Sequence, residues 1–117
     1  MIAYLSGPIE NALNDGLNWR NDIAGWLEKE LQHKVFNPVT ETKSIIKNYS
    51  SGDFRLMKNT NPNEYKNIIR KIIKVDLEAL VNNSDYLIVK WDESIFKGGG
   101  THGEVTMAYW LRKPVFL

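Results

Sequence analysis

Asp76 and Glu104 are the two acidic side chains whose setting in the sequence suggests chemistry. Between Glu64 and Val81 the residues Tyr65, Ile68, Ile69, Ile72 and Ile73 recur at helical spacing. They spread over an arc of roughly 140°, and Asp76 falls near its centre. A carboxylate facing a core is costly unless it is paired, hydrogen-bonded or protonated. Burial raises its pKa, which suits a proton donor. A buried Asp that caps the N–H groups of a neighbouring loop fits the same pattern. Glu104 also reads two ways. Thr101-x-x-Glu104 fits the capping box, in which the Glu reaches back to the N-cap N–H. Yet Glu104 shares a helix face with Ala108 and Leu111 and follows a glycine loop, where a carboxylate can be aligned by backbone donors and still meet a ligand. Two carboxylates facing one pocket are the minimum equipment for displacement at an anomeric carbon: one attacks, the other protonates the departing group.

Around these two stand weaker candidates. Ser6-Gly7-Pro8 and Gly98-Gly99-Gly100 both follow strand-like runs, and a helix starting near Thr101 adds partial positive charge. The triple glycine is neither a Walker A loop nor a GxGxxG fingerprint, and it serves equally as a flexible connector. Trp91 is placed to lie against a flat ring, whereas Trp19, Trp26 and Trp110 read as core or interface residues. His33 reads as a surface residue and Asp85 as the partner of backbone donors at a strand entrance. The spacing of the two His fits no common zinc pattern, and with no Cys the chain offers neither thiolate ligands nor a thiol nucleophile. A metal site is not expected.

The elements that must position these residues alternate. Ile2–Ser6 reads as a strand, Gly16–Leu31 as a helix and Lys34–Phe36 as a short strand ending at Asn37-Pro38. The polar stretch from there to Pro62 reads as a long irregular loop, either a lid that sets ligand preference or a mobile loop without function. A helix over Glu64–Val81, a buried strand Tyr86–Val89, a helix Thr101–Leu111 and a strand Pro114–Leu117 complete the series. The order β-α-β-loop-α-β-α-β implies an α/β fold of Rossmann-like or flavodoxin-like kind: one domain over residues 1–117, with a parallel sheet of four to five strands and helices on both faces. Ligands in such folds bind beyond the carboxyl ends of the strands, where the strand order reverses, and the Ser6-Gly7-Pro8 and triple-glycine loops meet at that crevice if the first and third strands are neighbours.

Composition narrows the partners. The chain is 43% hydrophobic and 25% charged, with a net charge of +1 and no dense run of Lys and Arg, which argues against a nucleic-acid groove or an anionic membrane. No apolar stretch approaches the roughly 20 residues of a membrane span. The first strand-like run begins at Ile2, leaving no room for a signal peptide, and a reducing cytoplasmic setting is expected.

Taken together, Tyr4-Leu5-Ser6-Gly7-Pro8-Ile9, Asp76-x3-Leu80-x3-Ser84-Asp85-x-Leu87-Ile88-Val89 and Gly100-Thr101-x2-Glu104-x3-Ala108-x4-Lys113-Pro114-Val115 resemble the nucleoside 2-deoxyribosyltransferase family, which includes 5′-monophosphate N-glycosidases. The match runs nearly the whole chain in register. The resemblance implies that Glu104 attacks the anomeric carbon and holds the sugar as an ester, that Asp76 protonates the departing base, and that Tyr4 hydrogen-bonds and orients the nucleophile. It implies that Ser6 and Gly7 line the sugar or phosphate pocket, that no metal or organic cofactor is needed, and that the chain forms a homodimer or larger homo-oligomer; Pro8, Gly98, Gly99, Gly100, Thr101 and Trp91 stand beside them as further candidates for the substrate pocket. Two departures bear on substrate. Six residues before Glu104, where transferases tend to carry Asp and monophosphate hydrolases Ser, stands Gly98. Family members also usually continue past the last strand, whereas this sequence stops at Leu117. The implied activity is sugar transfer between bases; hydrolysis of a 5′-monophosphate and a nucleotide sensor without turnover are the alternatives.

Overall fold

The computed structural model describes residues 1–9, 16–49, 54–93 and 99–117. Strand β1 (Ile2–Ser6) leads to helix α1 (Leu17–Trp26), which runs on as a π-helical turn (Leu27–Leu31) and stops where Gln32 takes a left-handed conformation at φ 55°. Then follow β2 (Lys34–Phe36), α2 (Pro38–Tyr49), a 3₁₀ turn (Phe54–Leu56), the short α3 (Met57–Thr60), α4 (Pro62–Asn83), β3 (Tyr86–Val89), α5 (Gly100–Trp110) and β4 (Val115–Phe116).

The four strands form one all-parallel sheet in the order β2-β1-β3-β4. The order reverses beside β1, so β1 and β3 are neighbours at the switch point. Their register pairs Tyr4 with Leu87 and Ser6 with Val89, and the Lys90 N–H continues the ladder to the Ser6 carbonyl at 3.0 Å. Because side chains alternate along a strand, Tyr4 and Ser6 share one face and Ala3 and Leu5 the other. On the first face Tyr4, Leu87 and Val89 pack with Ala79 and Leu80 of α4 and Ala108 of α5. On the second, Ala3 and Tyr86 pack with Leu27, with Ile23 and Ile88 alongside. Helices thus cover both faces, which is why these strands read as continuous apolar runs.

The described residues of the stretch 37–62 (37–49 and 54–62) do not form the irregular loop that its polarity suggested. Asn37 Oδ1 accepts from the Val39 N–H at 3.0 Å with Pro38 as the first helical residue, and Asn61 Oδ1 accepts from the Glu64 N–H at 3.4 Å with Pro62 in the same role. Each Asn-Pro pair is an N-cap followed by a pre-set first turn. What the sequence offered as turn signals are helix starts, and α2 packs against α4.

Candidate active site

Glu104 is the fifth residue of α5, not the third of a capping box. The helix begins at Gly100 with Gly99 as N-cap and no side-chain cap, and the Gly103 N–H bonds the Gly99 carbonyl at 3.1 Å. Two glycines thus move the helix start upstream of Thr101, which is itself buried. The Glu104 side chain is thereby freed to cross to β1 instead of turning back to the backbone. The capping expectation is overturned.

Across the gap, the Tyr4 hydroxyl donates to Glu104 Oε2 and Ser6 Oγ donates to Oε1 at 2.8 Å. The alternation of β1 places both hydroxyls on the face that α5 covers. Tyr4 has no exposed surface, and its ring stacks on Phe36 with centroids 5.2 Å apart and planes 15° from parallel. Burial, then the negative charges of Glu104 and Asp76, push its phenol far above the ordinary range, so Tyr4 stays protonated and acts as a donor. Burial also raises the Glu104 carboxyl, opposed by the hydrogen bonds from Tyr4 and Ser6 and by the positive charge of Arg20.

Asp76 on α4 is the second carboxylate. Its pKa is pushed up to about 7, first by burial, then by the charges of Glu104 and of Glu41 on α2, with Arg20 pulling the other way. Its Oδ1 is buried and finds no hydrogen-bond partner among the described residues. That oxygen therefore caps no neighbouring loop. Glu104 receives two hydroxyl donors that favour its charged form, whereas Asp76 feels the Glu104 charge and leaves an oxygen bare. Of the two, Asp76 is the one that keeps its proton, with Glu104 ionised. The pair divides into a nucleophile-like and an acid-like member.

The same shift has a stability consequence. A carboxyl whose pKa is raised on folding favours the folded state most when protonated. Its contribution is therefore full below the unfolded value of about 4 and is lost as pH rises through about 7. Asp76→Asn removes this dependence. Thermal unfolding should show the variant gaining on wild type by about 2 kcal/mol at pH 8, after discounting for partial exposure, and by much less at pH 5. Equal gains at both pH values would contradict a raised Asp76.

The remaining expected residues are distributed around this pair. Gly7 and Pro8 follow β1 directly, but both turn their carbonyls toward Arg20 of α1. Gly7 admits no side chain, since a Cβ there would lie 2.9 Å from the Trp19 ring. Gly99 and Gly100 are exposed and border open space at the helix entrance, while Gly98 lies outside the described residues. Trp91, just past β3, is 45% exposed and meets His102 edge to face with ring centroids 5.0 Å apart, so an aromatic edge stands at the carboxyl end of the sheet. Asp85 accepts from the Ile2 N–H at 2.7 Å, the strand-entrance role expected of it. His33 is not a free surface residue: it is half-buried, with Nδ1 2.6 Å from the Tyr86 hydroxyl. Trp26 and Trp110 are exposed and so are not core.

Arg20 is the residue the sequence reading passed over. It has no exposed surface, and its guanidinium lies close enough to shift both carboxyls. The signal was present. Leu17, Ile23, Ala24 and Leu27 form the apolar arc of α1, and Arg20 stands at its centre as Asp76 does in α4.

An open cleft of about 480 Å³ on the other face of the sheet, between Trp19, Trp26, Ile88 and Lys90, includes none of these carboxylates. Among the described residues, no three His, Cys, Asp or Glu are grouped as a metal would require, and no helix is long and apolar enough to cross a membrane. Compared with protein-family models, curated proteins and solved structures, the chain matches none.

Proposed function

We propose that this chain cleaves the N-glycosidic bond of a nucleoside or nucleotide by double displacement, in the manner of the nucleoside 2-deoxyribosyltransferases that its motifs resemble. One observation carries the reading: Glu104, held by the hydroxyls of Tyr4 and Ser6 at the switch point of the sheet, lies within electrostatic reach of a carboxyl that is protonated up to about pH 7. A pure binding protein has no need of such a pair.

In the first step an ionised Glu104 oxygen attacks C1′, the C1′–N bond breaks with its electron pair going to the base, and Asp76 delivers its proton there. Tyr4 and Ser6 keep the carboxylate aimed and spread its charge. In the second step a base nitrogen or a water attacks C1′ of the ester, its proton passes to the Asp76 carboxylate, and the C1′–O bond breaks so that Glu104 leaves as carboxylate, giving net retention and restoring both groups. The aromatic edge of Trp91 and His102 is suited to a flat leaving group. Glu41 of α2 bears on Asp76, which supports a role for the 37–62 segment in choosing the base.

Transfer to a second base is the reading we favour. The deciding experiment incubates the protein with deoxynucleosides and with their 5′-monophosphates, with and without a second free base, and separates the products by chromatography. A swapped nucleoside is expected. Free base alone would assign a hydrolase, and no turnover of any substrate would leave a sensor. Tyr4→Phe should lower kcat/KM by roughly 10- to 100-fold and cost about 1–2 kcal/mol in thermal unfolding, because a buried carboxylate loses a donor; unchanged kcat/KM would remove Tyr4 from the site. The same reading carries a cytoplasmic homodimer or larger assembly, which the exposed Tyr109 and Trp110 of α5 favour and sedimentation would test.

A further inference from the structure

Behind the turn that leaves β1 lies a fully buried guanidinium. Arg20 Nε donates to the Leu5 carbonyl at 3.3 Å, Nη1 to Gly16 at 3.0 Å and Pro8 at 3.4 Å, and Nη2 to Gly7 at 2.8 Å. Its Cζ stands 4.7 Å from the centre of the Trp19 ring. The four acceptors are neutral carbonyls that flank Ser6 and the start of α1. Gly16, at φ 69°, has no room for a side chain, since a Cβ would come within 2.4 Å of Nη1. A planar fork with five donors can tie four carbonyls at once, whereas an ammonium on a flexible stem cannot. A buried charge is costly, and this one is satisfied by the turn without being neutralised by it. Burial lowers its pKa to about 10, which leaves it positive at neutral pH.

We propose that Arg20 is a positioning residue for Glu104: it locks the turn that carries Ser6 and supplies a fixed positive charge that favours the ionised carboxylate, without touching substrate. The role rests on the glycosidic reading above for its effect on turnover, but not for its effect on Glu104 itself. The charged or titratable groups that bear on Glu104 and its partner carboxyl are Tyr4 from β1, Asp76 from α4 and Arg20 from α1, with Glu41 of α2 acting on Asp76. Among the described residues, Arg20 is the positive member of this group.

Two variants separate the clamp from the charge. Arg20→Lys keeps the charge and loses the fork; Arg20→Gln keeps some donors and loses the charge. Each is measured by the pH profile of base release and, independently of activity, by carbon-13 NMR titration of the Glu104 carboxyl. Arg20→Lys should leave the Glu104 midpoint in place and lower kcat about tenfold at unchanged KM, since the turn loosens. Arg20→Gln should raise the midpoint, and with it the acid limb of the profile, by about one pH unit. Wild-type kcat in a folded Arg20→Lys would overturn the clamp. A wild-type midpoint in a folded Arg20→Gln would overturn the charge. If Arg20→Gln does not fold, Arg20→Lys decides; if neither folds, Arg20 belongs to the fold alone and the proposal fails. A wild-type protein that turns over no substrate would remove the glycosidic reading, while the NMR arm would still decide whether the Arg20 charge governs Glu104.

Discussion

Glu104→Gln should fold as the wild type does and release base at roughly a thousandth of its rate or less, the scale of loss when a covalent nucleophile is removed from a site whose other parts remain. The fold survives because the amide can replace the carboxylate in its hydrogen bonds. Tyr4 can donate to the amide oxygen, and the amide NH₂ can donate to Ser6 Oγ, which reverses its role. Burial penalises the Glu104 charge, so the neutral amide should melt within a few degrees of wild type at neutral pH. The comparison of melting temperature with single-turnover base release separates chemistry from structure. Wild-type turnover in this variant would show that Glu104 only braces α5 against β1.

Asp76→Asn should have the second largest effect, and its signature is pH and leaving group more than rate alone. In the wild type, base release should fall as pH rises through about 7, where Asp76 loses its proton, and should fall again in acid as Glu104 gains one. Asn cannot deliver a proton. The alkaline limb should therefore vanish, leaving a rate lower by roughly 10²- to 10⁴-fold for ordinary bases. A base that departs without protonation, such as a 7-methylated purine, should recover most of the loss. An alkaline limb that persists in Asp76→Asn would move the acid role elsewhere. This residue also brings the fold and the chemistry into opposition. The bare, buried Oδ1 that suits a proton donor makes Asp76 a local cost to stability above neutral pH, which the thermal comparison reads directly.

The parallel sheet was legible because its strands are buried on both faces and read as unbroken apolar runs, and because alternating strands and helices leave few topologies open. The neighbouring of β1 and β3 was only one of those topologies; the strand order supplies it, and with it the meeting of the Ser6 turn and the start of α5 at one crevice. Asp76 was legible from a single misfit, a charge at the centre of an apolar arc. Arg20 carries the same signal in α1, and the eye passes it because an Arg stem is commonly spread along apolar surface with its head in water. Glu104 could not be settled from spacing. A capping box and a free carboxylate differ only in where the helix begins, and Gly99 and Gly100 decided that. The described parts of the 37–62 segment differ from the loop expected of them for a related reason. Asn-Pro ends a strand and also begins a helix, and the polar residues between hide the 39, 42, 46 and 49 spacing of Val, Thr, Ile and Tyr.

The most direct test is capture of the ester. A 2′-fluoroarabino nucleoside, or its 5′-monophosphate, slows both displacement steps because fluorine at C2′ destabilises the oxocarbenium-like transition states. Intact-protein mass spectrometry after an acid quench, followed by peptide mapping, should find one fluoropentosyl group per chain on Glu104, with one equivalent of base set free. The adduct should be absent in Glu104→Gln. Base released with no adduct, or an adduct on any other residue, would contradict Glu104 as the nucleophile.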